Sequence, residues 1–506
     1  MQTSRFIMAL DQGTSSSRAI VYHLDGTIAS VAQHEFGMQF PQDGWVEQDP
    51  EVLWQTTLRA GRDALAAAGI HGSEVACIGI TNQRETTLLW ERDSGDCLYN
   101  AIVWQDRRTA DRCEALRAAA LEGQPAGDYI SATTGLVIDP YFSGTKLAWL
   151  LDNVPNARQR AAAGELCFGT VDTFLIWRLS KGARHVTEPS NVSRTQLFDI
   201  HQQDYCPALL QLLDIPAAVL PEVQDSAGFF ATADAEWFGA EIPITGVAGD
   251  QQSALIGQGC FARGMTKCTY GTGCFLMTHT GAEPVASAHQ LLTTVAYRLN
   301  GEVSYALEGS IFVAGVAIKW LRDQLGLIDS AEDTELAFAR CAGDSSGVYV
   351  VPAFTGLGAP YWQPHARGLV TGLTLDTSRD QLITAFLQGV VFQTQELVQA
   401  MNHDGAQVAS LRVDGGMVVN SALCQFLADL LDVPVQRPVD TETTALGAAV
   451  LAGLGQGLFT DLSHASEAWS LEQQFDPDMS VERRQQLLAG YAQAVAMTLT
   501  GTQVDA

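Results

Sequence analysis

The chain has 506 residues, a formal net charge of −28 and an apolar fraction of 47%. This length allows two or three domains with large cores, and the negative charge argues against binding to nucleic acid or to anionic membranes. The ten cysteines include no C-x-x-C pair, and no apolar run reaches the roughly 18 residues of a membrane span. We therefore expect a cytoplasmic globular protein with reduced thiols and no membrane insertion.

The first predicted elements are three strands, at residues 7–10, 19–22 and 28–32, which form an antiparallel meander. The first strand ends at Asp11, whose carboxylate could bind a metal or accept a proton. Backbone N–H groups at a glycine turn, hydroxyl groups and a guanidinium can together bind phosphate. These groups come from Gly13, Thr14, Ser15, Ser16 and Arg18. An ordinary hairpin rich in turn residues is the alternative for this segment taken alone.

A helix and a strand follow, and they indicate an α/β core. Asp49 and Pro50 predict a helix start, and residues 75–80 predict a strand. The polar residues 81–85 leave that strand at the edge of the sheet where α/β proteins bind ligands. Arg84 and Glu85 offer a donor and an acceptor that suit a polyhydroxy molecule. A surface ion pair is the alternative for these two side chains.

A second polar cluster occupies residues 246–252, where small residues precede Asp250 and Gln251. Phosphoryl transfer to an alcohol needs positioning, charge neutralisation and a proton acceptor near the attacking hydroxyl. Asp250 is the best candidate for that general base. It could also serve as the N-cap of a helix that starts at Gln251, and the two roles are compatible.

The pattern restarts near residue 255. Predicted strands at 267–270 and 275–278 flank a second turn of glycine and hydroxyl residues, at 271–273. Further strands are predicted at 303–307, 348–352 and 411–413, and a helix begins near 377–378. We therefore predict two related α/β domains, at residues 1–254 and 255–506, with a cleft between them.

A third candidate site follows the strand at 411–413. The Gly415–Gly416 turn would let a flat ring or a ribose approach the backbone, and Asn420 could bind a base edge. A plain strand-to-helix connection is the alternative. Trp104 and Phe275 lie beside the polar stretches and could cover the apolar face of a small polyol, although each could equally be a core residue.

Six segments of the chain resemble the FGGY carbohydrate kinases, and within them the branch that acts on glycerol. The segments are ALDQGT, GITNQRET, PYFSGTK, GDQQ, YGTG and GAPYW, at residues 9–14, 79–86, 140–146, 249–252, 270–273 and 358–362. The resemblance covers nearly the whole chain, and the TNQRE run is its most specific part. It implies an actin-like ATPase fold, in which two duplicated ribonuclease-H-like domains close on ATP in a central cleft.

The resemblance also implies roles for individual residues. The residues expected to bind ATP are Thr14, Ser15, Ser16, Arg18, Thr272 and Gly315 on the phosphate side, and Gly416 and Asn420 on the nucleoside side. The residues expected to bind glycerol are Arg84, Glu85, Tyr141, Asp250 and Gln251, with Trp104 and Phe275 against its carbon atoms. Asp11 would bind Mg²⁺ directly or through water. Asp250 would take the proton of a terminal hydroxyl as it attacks the γ-phosphate, which gives sn-glycerol 3-phosphate and ADP. A homo-oligomer, either a dimer or a tetramer, is expected.

Two departures from the family pattern limit this transfer of roles. Position 319 is Lys where well-known relatives have Gln, so Lys319 is left out of the nucleotide set. Residues 229–241 lack the glycine-rich basic loop with which some bacterial members bind a sugar bisphosphate inhibitor, so no such feedback is expected.

Two rival functions share parts of this pattern. An FGGY kinase for a pentulose or a longer polyol would need a roomier pocket than Arg84, Tyr141 and Trp104 suggest. A nucleotide-switched binding protein of the actin or Hsp70 kind would share the phosphate turns but would not need an alcohol-binding set.

Overall fold

The first half of the chain is built on a six-stranded mixed sheet. The computed structural model describes residues 5–363, 365–465 and 469–501. The sheet has the spatial order β5-β6-β4-β1-β2-β3. Its strands are β1 (Phe6–Gln12), β2 (Ser16–His23), β3 (Ile28–Glu35), β4 (Val75–Asn82), β5 (Ala227–Ala233) and β6 (Ile242–Gly249). The antiparallel pairing of β1 with β2 and of β2 with β3 confirms the predicted meander. However, β2 begins three residues before the predicted residue 19, because Ser16 and Ser17 already pair with β3.

The second half repeats this arrangement in a seven-stranded sheet with the order β9-β10-β8-β7-β11-β12-β13. Its strands are β7 (Thr266–Tyr270), β8 (Cys274–Gly281), β9 (Leu292–Leu299), β10 (Glu302–Ile311), β11 (Leu411–Asp414), β12 (Val435–Pro438) and β13 (Leu471–Phe475). Strand β7 is antiparallel to β8 and parallel to β11, just as β1 is antiparallel to β2 and parallel to β4. Strands β12 and β13 extend this sheet as β6 and β5 extend the first. This correspondence confirms the predicted duplication.

Two of the longer helices start at the residues that their sequence signals indicate. The Asp49 side chain accepts a hydrogen bond of 2.8 Å from Glu51 N at the start of α1 (Pro50–Ala68), and Ser378 forms a capping box with Gln381 at the start of α4 (Arg379–His403). Five further helices are α2 (Asp250–Gly257), α3 (Gly315–Asp323), α5 (Ser421–Leu431), α6 (Thr443–Gly455) and α7 (Val481–Gly501).

Helices α2 and α6 join the two halves through close backbone contact. A Cβ atom at Gly447 would lie 1.8 Å from Ser253 O, and one at Gly79 of β4 would lie 2.1 Å from Ala448 O. Only glycine fits at such approaches. Helix α6, which belongs to the second half of the chain, therefore packs against both α2 and the first sheet.

The remaining elements are short. Six two-stranded sheets pair Glu47–Gln48 with Ala101–Ile102, Leu88–Glu91 with Leu166–Gly169, Ala120–Leu121 with Gln124–Pro125, Val186–Thr187 with Glu222–Val223, Phe198–Asp199 with Asp204–Tyr205, and Tyr349–Val351 with Leu369–Thr371. The strand predicted at 348–352 thus lies outside the main sheet. The other α-helices are Ala110–Arg117, Ala126–Thr134, Ser143–Asn153, Ala157–Ala162, Val171–Leu179, Pro189–Val192, Pro207–Leu212, Ala235–Phe238, Asp333–Arg340 and Leu462–Ala465.

Two further expectations can be compared with the described residues. All ten cysteines are free thiols, and all except Cys97 and Cys341 are buried, as expected for reduced core thiols. Within the described ranges, none of the helices has the length and apolarity needed to cross a membrane.

Candidate active site

A cavity of about 230 Å³ opens where the carboxyl ends of β1, β4 and β7 meet. It brings together all seven residues predicted to bind the acceptor and three of the predicted phosphate ligands. The acceptor residues are Arg84, Glu85, Trp104, Tyr141, Asp250, Gln251 and Phe275, and the phosphate ligands are Thr14, Ser15 and Thr272. Met38, Gln105 and Thr269 also line the cavity and were not predicted.

The two predicted phosphate turns occupy equivalent positions in the two sheets. The turn between β1 and β2 is closed by a hydrogen bond of 2.9 Å from Gly13 N to Ser16 O, and the turn between β7 and β8 by one of 2.9 Å from Gly271 N to Gly273 O. Gly315 N, at the start of α3, donates to Gly271 O at 3.0 Å. A Cβ atom at Gly315 would lie 2.5 Å from that oxygen, so the turn and α3 meet through glycine. Residues of both turns line the same cavity.

Three of the predicted phosphate ligands lie outside the cavity, and they are Gly315, Ser16 and Arg18. Ser16 Oγ accepts a hydrogen bond of 3.0 Å from Gln33 Nε2. Arg18 donates to Gln33 Oε1 at 2.8 Å and forms an ion pair with Glu442, which lies just before α6. For Ser16 and Arg18 the cause is the early start of β2, because both are strand residues whose side chains lie on one face of the sheet.

A second cavity, of about 130 Å³, contains the predicted nucleoside-side residues Gly416 and Asn420. The Asn420 side chain caps α5: its Oδ1 accepts a hydrogen bond of 3.0 Å from Leu423 N, and its Nδ2 donates to Thr334 Oγ1 at 3.0 Å. Both ends of the amide are thus bonded within the protein. A short 3₁₀ turn, Gly416–Val419, separates β11 from α5 at the position of the predicted glycine turn.

Arg84 and Glu85 are almost completely buried, so the alternative of a surface ion pair does not hold. Arg84 Nε lies 3.2 Å from Asp250 Oδ1, which joins two of the predicted acceptor residues directly. Glu85 has a φ of +59°, a left-handed conformation that costs free energy in a residue with a side chain and is concentrated at functional sites. The loop after β4 is therefore held in one particular conformation at the cavity.

Three aromatic rings form one wall of the cavity. The Trp104 ring packs edge-on against Tyr141, with centroids 5.6 Å apart, and against Phe275, with centroids 6.3 Å apart. Trp104 Nε1 also donates a hydrogen bond of 2.9 Å to Thr14 Oγ1. The aromatic wall is thus tied to the phosphate turn of the first sheet.

Burial raises the pKa of two carboxyl groups, that of Asp250 in the cavity and that of Asp11, which is not among the residues that line it. It raises the pKa of Asp250, and the charges of Arg84 and Lys267 act in the opposite direction. Burial also raises the pKa of Asp11 to about 6, with a smaller upward effect from Asp250 that is opposed by Arg18. Asp250 is therefore a stronger proton acceptor than an ordinary aspartate, which is the property a general base needs.

Several residues that support the cavity were missed by the sequence analysis. Glu308, in the middle of β10, accepts hydrogen bonds from Arg84 and Arg194. Lys267 donates to Gln251 Oε1, and to Thr269 Oγ1 at 2.9 Å. A single carboxylate inside the apolar run YALEGSIF is the signal that could have identified Glu308.

Family models match both halves of the chain. The N-terminal domain model of the FGGY family of carbohydrate kinases matches residues 6–257, and the C-terminal domain model matches residues 266–455. The chain belongs to the FGGY family of carbohydrate kinases. Membership makes it a phosphotransferase and implies ATP as the phosphoryl donor.

Curated relatives and solved structures agree with this assignment. Glycerol kinase 1 of Pseudomonas aeruginosa is 57% identical over 97% of this chain and 98% of its own, and glycerol kinase of Alcanivorax borkumensis is 56% identical over the same shares. The crystal structure of Plasmodium falciparum glycerol kinase with ADP has a TM-score of 0.90 at 34% identity, and covers 98% of this chain and 99% of that one. The crystal structure of a gluconate kinase from Lactobacillus acidophilus has a TM-score of 0.87 at 18% identity, and this similarity supports only the fold of the present chain.

Proposed function

We propose that the kinase transfers the γ-phosphoryl group of ATP to a terminal hydroxyl of glycerol, which gives sn-glycerol 3-phosphate and ADP. One observation carries the proposal: a single cavity of about 230 Å³ joins a set of alcohol-binding side chains to two phosphate turns. The relatives named glycerol kinase, at 52–57% identity over nearly the full chain, support it.

The lining of the cavity suits a small polyol. Arg84 and Gln251 can donate hydrogen bonds to hydroxyl oxygens, and Glu85 and Asp250 can accept them from hydroxyl hydrogens. The ring of Trp104, packed against Phe275 and Tyr141, offers an apolar surface for the carbon atoms. These side chains can give each hydroxyl group of a three-carbon alcohol a hydrogen-bond partner, and the aromatic rings can cover one face of its carbon chain.

Asp250 is proposed as the general base. As the hydroxyl oxygen forms its bond to the γ-phosphorus, its proton moves to the Asp250 carboxylate. The bond between the γ-phosphorus and the β,γ-bridging oxygen breaks, and ADP leaves with that oxygen. Arg84 Nε, 3.2 Å from Asp250 Oδ1, holds the carboxylate in place. The hydroxyl groups of Thr14, Ser15 and Thr272 are proposed to bind the phosphates.

Mg²⁺ fits this site through one protein carboxylate together with the phosphates of ATP. The described residues contain no group of three or more His, Cys, Asp or Glu side chains that could hold a metal by themselves, and Mg²⁺ is commonly held by one or two carboxylates, water and substrate phosphates. Asp11 lies at the end of β1, and its raised pKa reflects a buried negative charge that a cation would neutralise. Bound there, Mg²⁺ would offset the charge of the phosphates.

The remaining nucleotide contacts are proposed for the closed, ATP-bound state. Gly315 lies against the second phosphate turn, and Gly416 and Asn420 line the second cavity. Ser16 and Arg18 would reach the phosphates if, as the domains close, Arg18 leaves its ion pair with Glu442 and pairs with the phosphates. Three expectations stay predictions: the homo-oligomer, the cytoplasmic location and the domain division at residues 254 and 255. The predicted division falls within α2.

Release of ADP, measured with glycerol, xylulose, ribulose, gluconate and no acceptor, tests this function. The proposal expects turnover with glycerol to exceed turnover with every other acceptor. ADP release that does not increase with glycerol but does increase with a longer sugar would favour a kinase for that sugar. ADP release without any acceptor would favour a nucleotide-switched binding protein. Either result would overturn the proposal.

A further inference from the structure

We propose that Glu308 is a positioning residue of the acceptor site, because it holds Arg84 and Arg194 in the arrangement that alcohol binding requires. The inference rests on the proposed function and extends it from the residues that line the cavity to one that lies behind them. Glu308 comes from β10 of the second sheet, whereas Arg84 and Arg194 belong to the first half of the chain. The acceptor site is thus completed by a side chain from the other domain.

Glu308 makes three short contacts with these guanidinium groups. Its Oε2 accepts a hydrogen bond of 2.5 Å from Arg84 Nη1, and its Oε1 accepts one of 3.1 Å from Arg84 Nη2. The same Oε1 accepts a hydrogen bond of 3.1 Å from Arg194 Nη2. Glu308 and Arg194 have no exposed side-chain surface, and Arg84 is 2% exposed. A paired contact to one guanidinium fixes its plane as well as its position.

Each arginine passes this constraint to a different carboxylate of the cavity. Arg84 Nε faces Asp250 Oδ1 at 3.2 Å, and Arg194 Nε donates to Glu85 Oε1 at 2.6 Å. Glu308 therefore orients both acidic residues of the acceptor set without lining the cavity itself. Removal of its charge would leave two buried guanidinium groups without their shared partner, and they would move toward Glu85 and Asp250.

Strand β10 also links Glu308 to the nucleotide side of the cleft. Glu308 lies opposite Met277 of β8, and Ser310, two residues further on, lies opposite Phe275 of the aromatic wall. The strand ends at Ile311, only a few residues before Gly315, whose N–H donates to Gly271 O of the second phosphate turn. Through Glu308, the two arginines are thus bonded to the strand of the second sheet that leads to Gly315. Within the described residues, the hydrogen-bond partners of the Glu308 side chain are Arg84, Arg194 and Ser310, none of which belongs to a phosphate turn, so ATP binding should depend on Glu308 much less.

Three variants test the inference. Glu308→Gln keeps the shape but removes the charge, and Glu308→Asp keeps the charge but withdraws it by one methylene. Glu302→Gln, at the exposed first residue of the same strand, is the matched control. We expect Glu308→Gln to lower kcat/KM for glycerol by about 10²-fold, as displacement of positioned groups commonly does, mainly through a higher KM for glycerol. Glu308→Asp should recover part of that loss, and Glu302→Gln should match the wild type.

Two binding measurements separate positioning from a general loss of structure. Calorimetric titration with glycerol should show much weaker binding to Glu308→Gln, whereas titration with ADP should give a near-native affinity. Equal losses for both ligands, or an unchanged glycerol affinity, would overturn the inference. If Glu308→Gln does not fold, Glu308→Asp and Arg194→Lys provide the same comparison.

Failure of the proposed function would give a different result. Wild-type protein that binds glycerol without phosphorylating it would contradict the function, while the glycerol titrations of the variants would still decide the role of Glu308. If the wild type phosphorylates a different alcohol, the same variants are titrated with that alcohol, and a native affinity would again contradict the inference.

Discussion

Asp250→Asn is the substitution that isolates the proposed proton transfer. Asparagine has the same shape as aspartate and keeps an oxygen that can accept from Arg84 Nε and from Gln251 N, which lie 3.2 Å and 2.8 Å from Oδ1. Arg84 also keeps its paired contact with Glu308. The substitution should therefore preserve the geometry of the cavity and remove only the ability to take a proton.

The expected magnitude follows from the role of a general base, which commonly contributes 10² to 10⁴ in rate. At about 1.4 kcal/mol for each tenfold change, kcat should fall by at least about 10², or about 3 kcal/mol of activation free energy. Stability should not fall with it. Burial raises the pKa of Asp250, so the folded state disfavours its charged form, and a neutral amide removes that penalty at neutral pH.

Stopped-flow or steady-state ADP release, together with calorimetric titration of ADP, measures both parts of this prediction. Asp63→Asn, at an exposed position on α1, is the control and should keep native turnover. Near-native turnover of Asp250→Asn would refute the base assignment. A lost affinity for ADP would instead show that the substitution disturbed the cleft, contrary to the geometry described above.

Two further predictions concern Asp11 and the movement of the domains. Because the pKa of folded Asp11 is raised to about 6, its protonated form stabilises the fold below about pH 4, and this contribution is lost as the pH rises through about 6. Asp11→Asn should therefore raise the free energy of unfolding by up to about 3 kcal/mol at pH 7.5 without Mg²⁺ and leave it unchanged near pH 4. The same substitution should lower Mg²⁺-dependent turnover. A calorimetric scan that shows a lower Tm for the variant at pH 7.5 would contradict the stability prediction. Small-angle scattering should show a smaller radius of gyration with glycerol and a non-hydrolysable ATP analogue together, because phosphate turns on both domains must approach the ligand. An unchanged scattering curve would count against closure.

The sequence predicted the parts of the fold that local signals determine. Asp49 and Ser378 mark helix starts through their own side chains, and the second glycine turn at Gly271 reveals the duplication because it repeats the first. Some of the cavity residues were predicted for a related reason, whereas Tyr141 was assigned only through the family resemblance. Thr14, Glu85 and Asp250 all follow apolar strands, and the ends of neighbouring strands meet at one edge of a sheet.

Contacts between distant segments were beyond the reach of these signals. Glu308 lies 224 residues from Arg84 and 114 residues from Arg194, and nothing in the sequence near any of them indicates the pairing. Arg18 was predicted as a turn residue because it follows a run of hydroxyl residues. The pairing of Ser16 and Ser17 with β3 makes it a strand residue instead, and its partner Glu442 comes from the other half of the chain.

Phosphorus NMR of a reaction that contains the kinase, ATP, Mg²⁺ and glycerol tests the central claim most directly. We predict that a phosphomonoester resonance of glycerol 3-phosphate grows in a one-to-one ratio with ADP. Formation of ADP with inorganic phosphate and no phosphomonoester would contradict it, as would the absence of ADP.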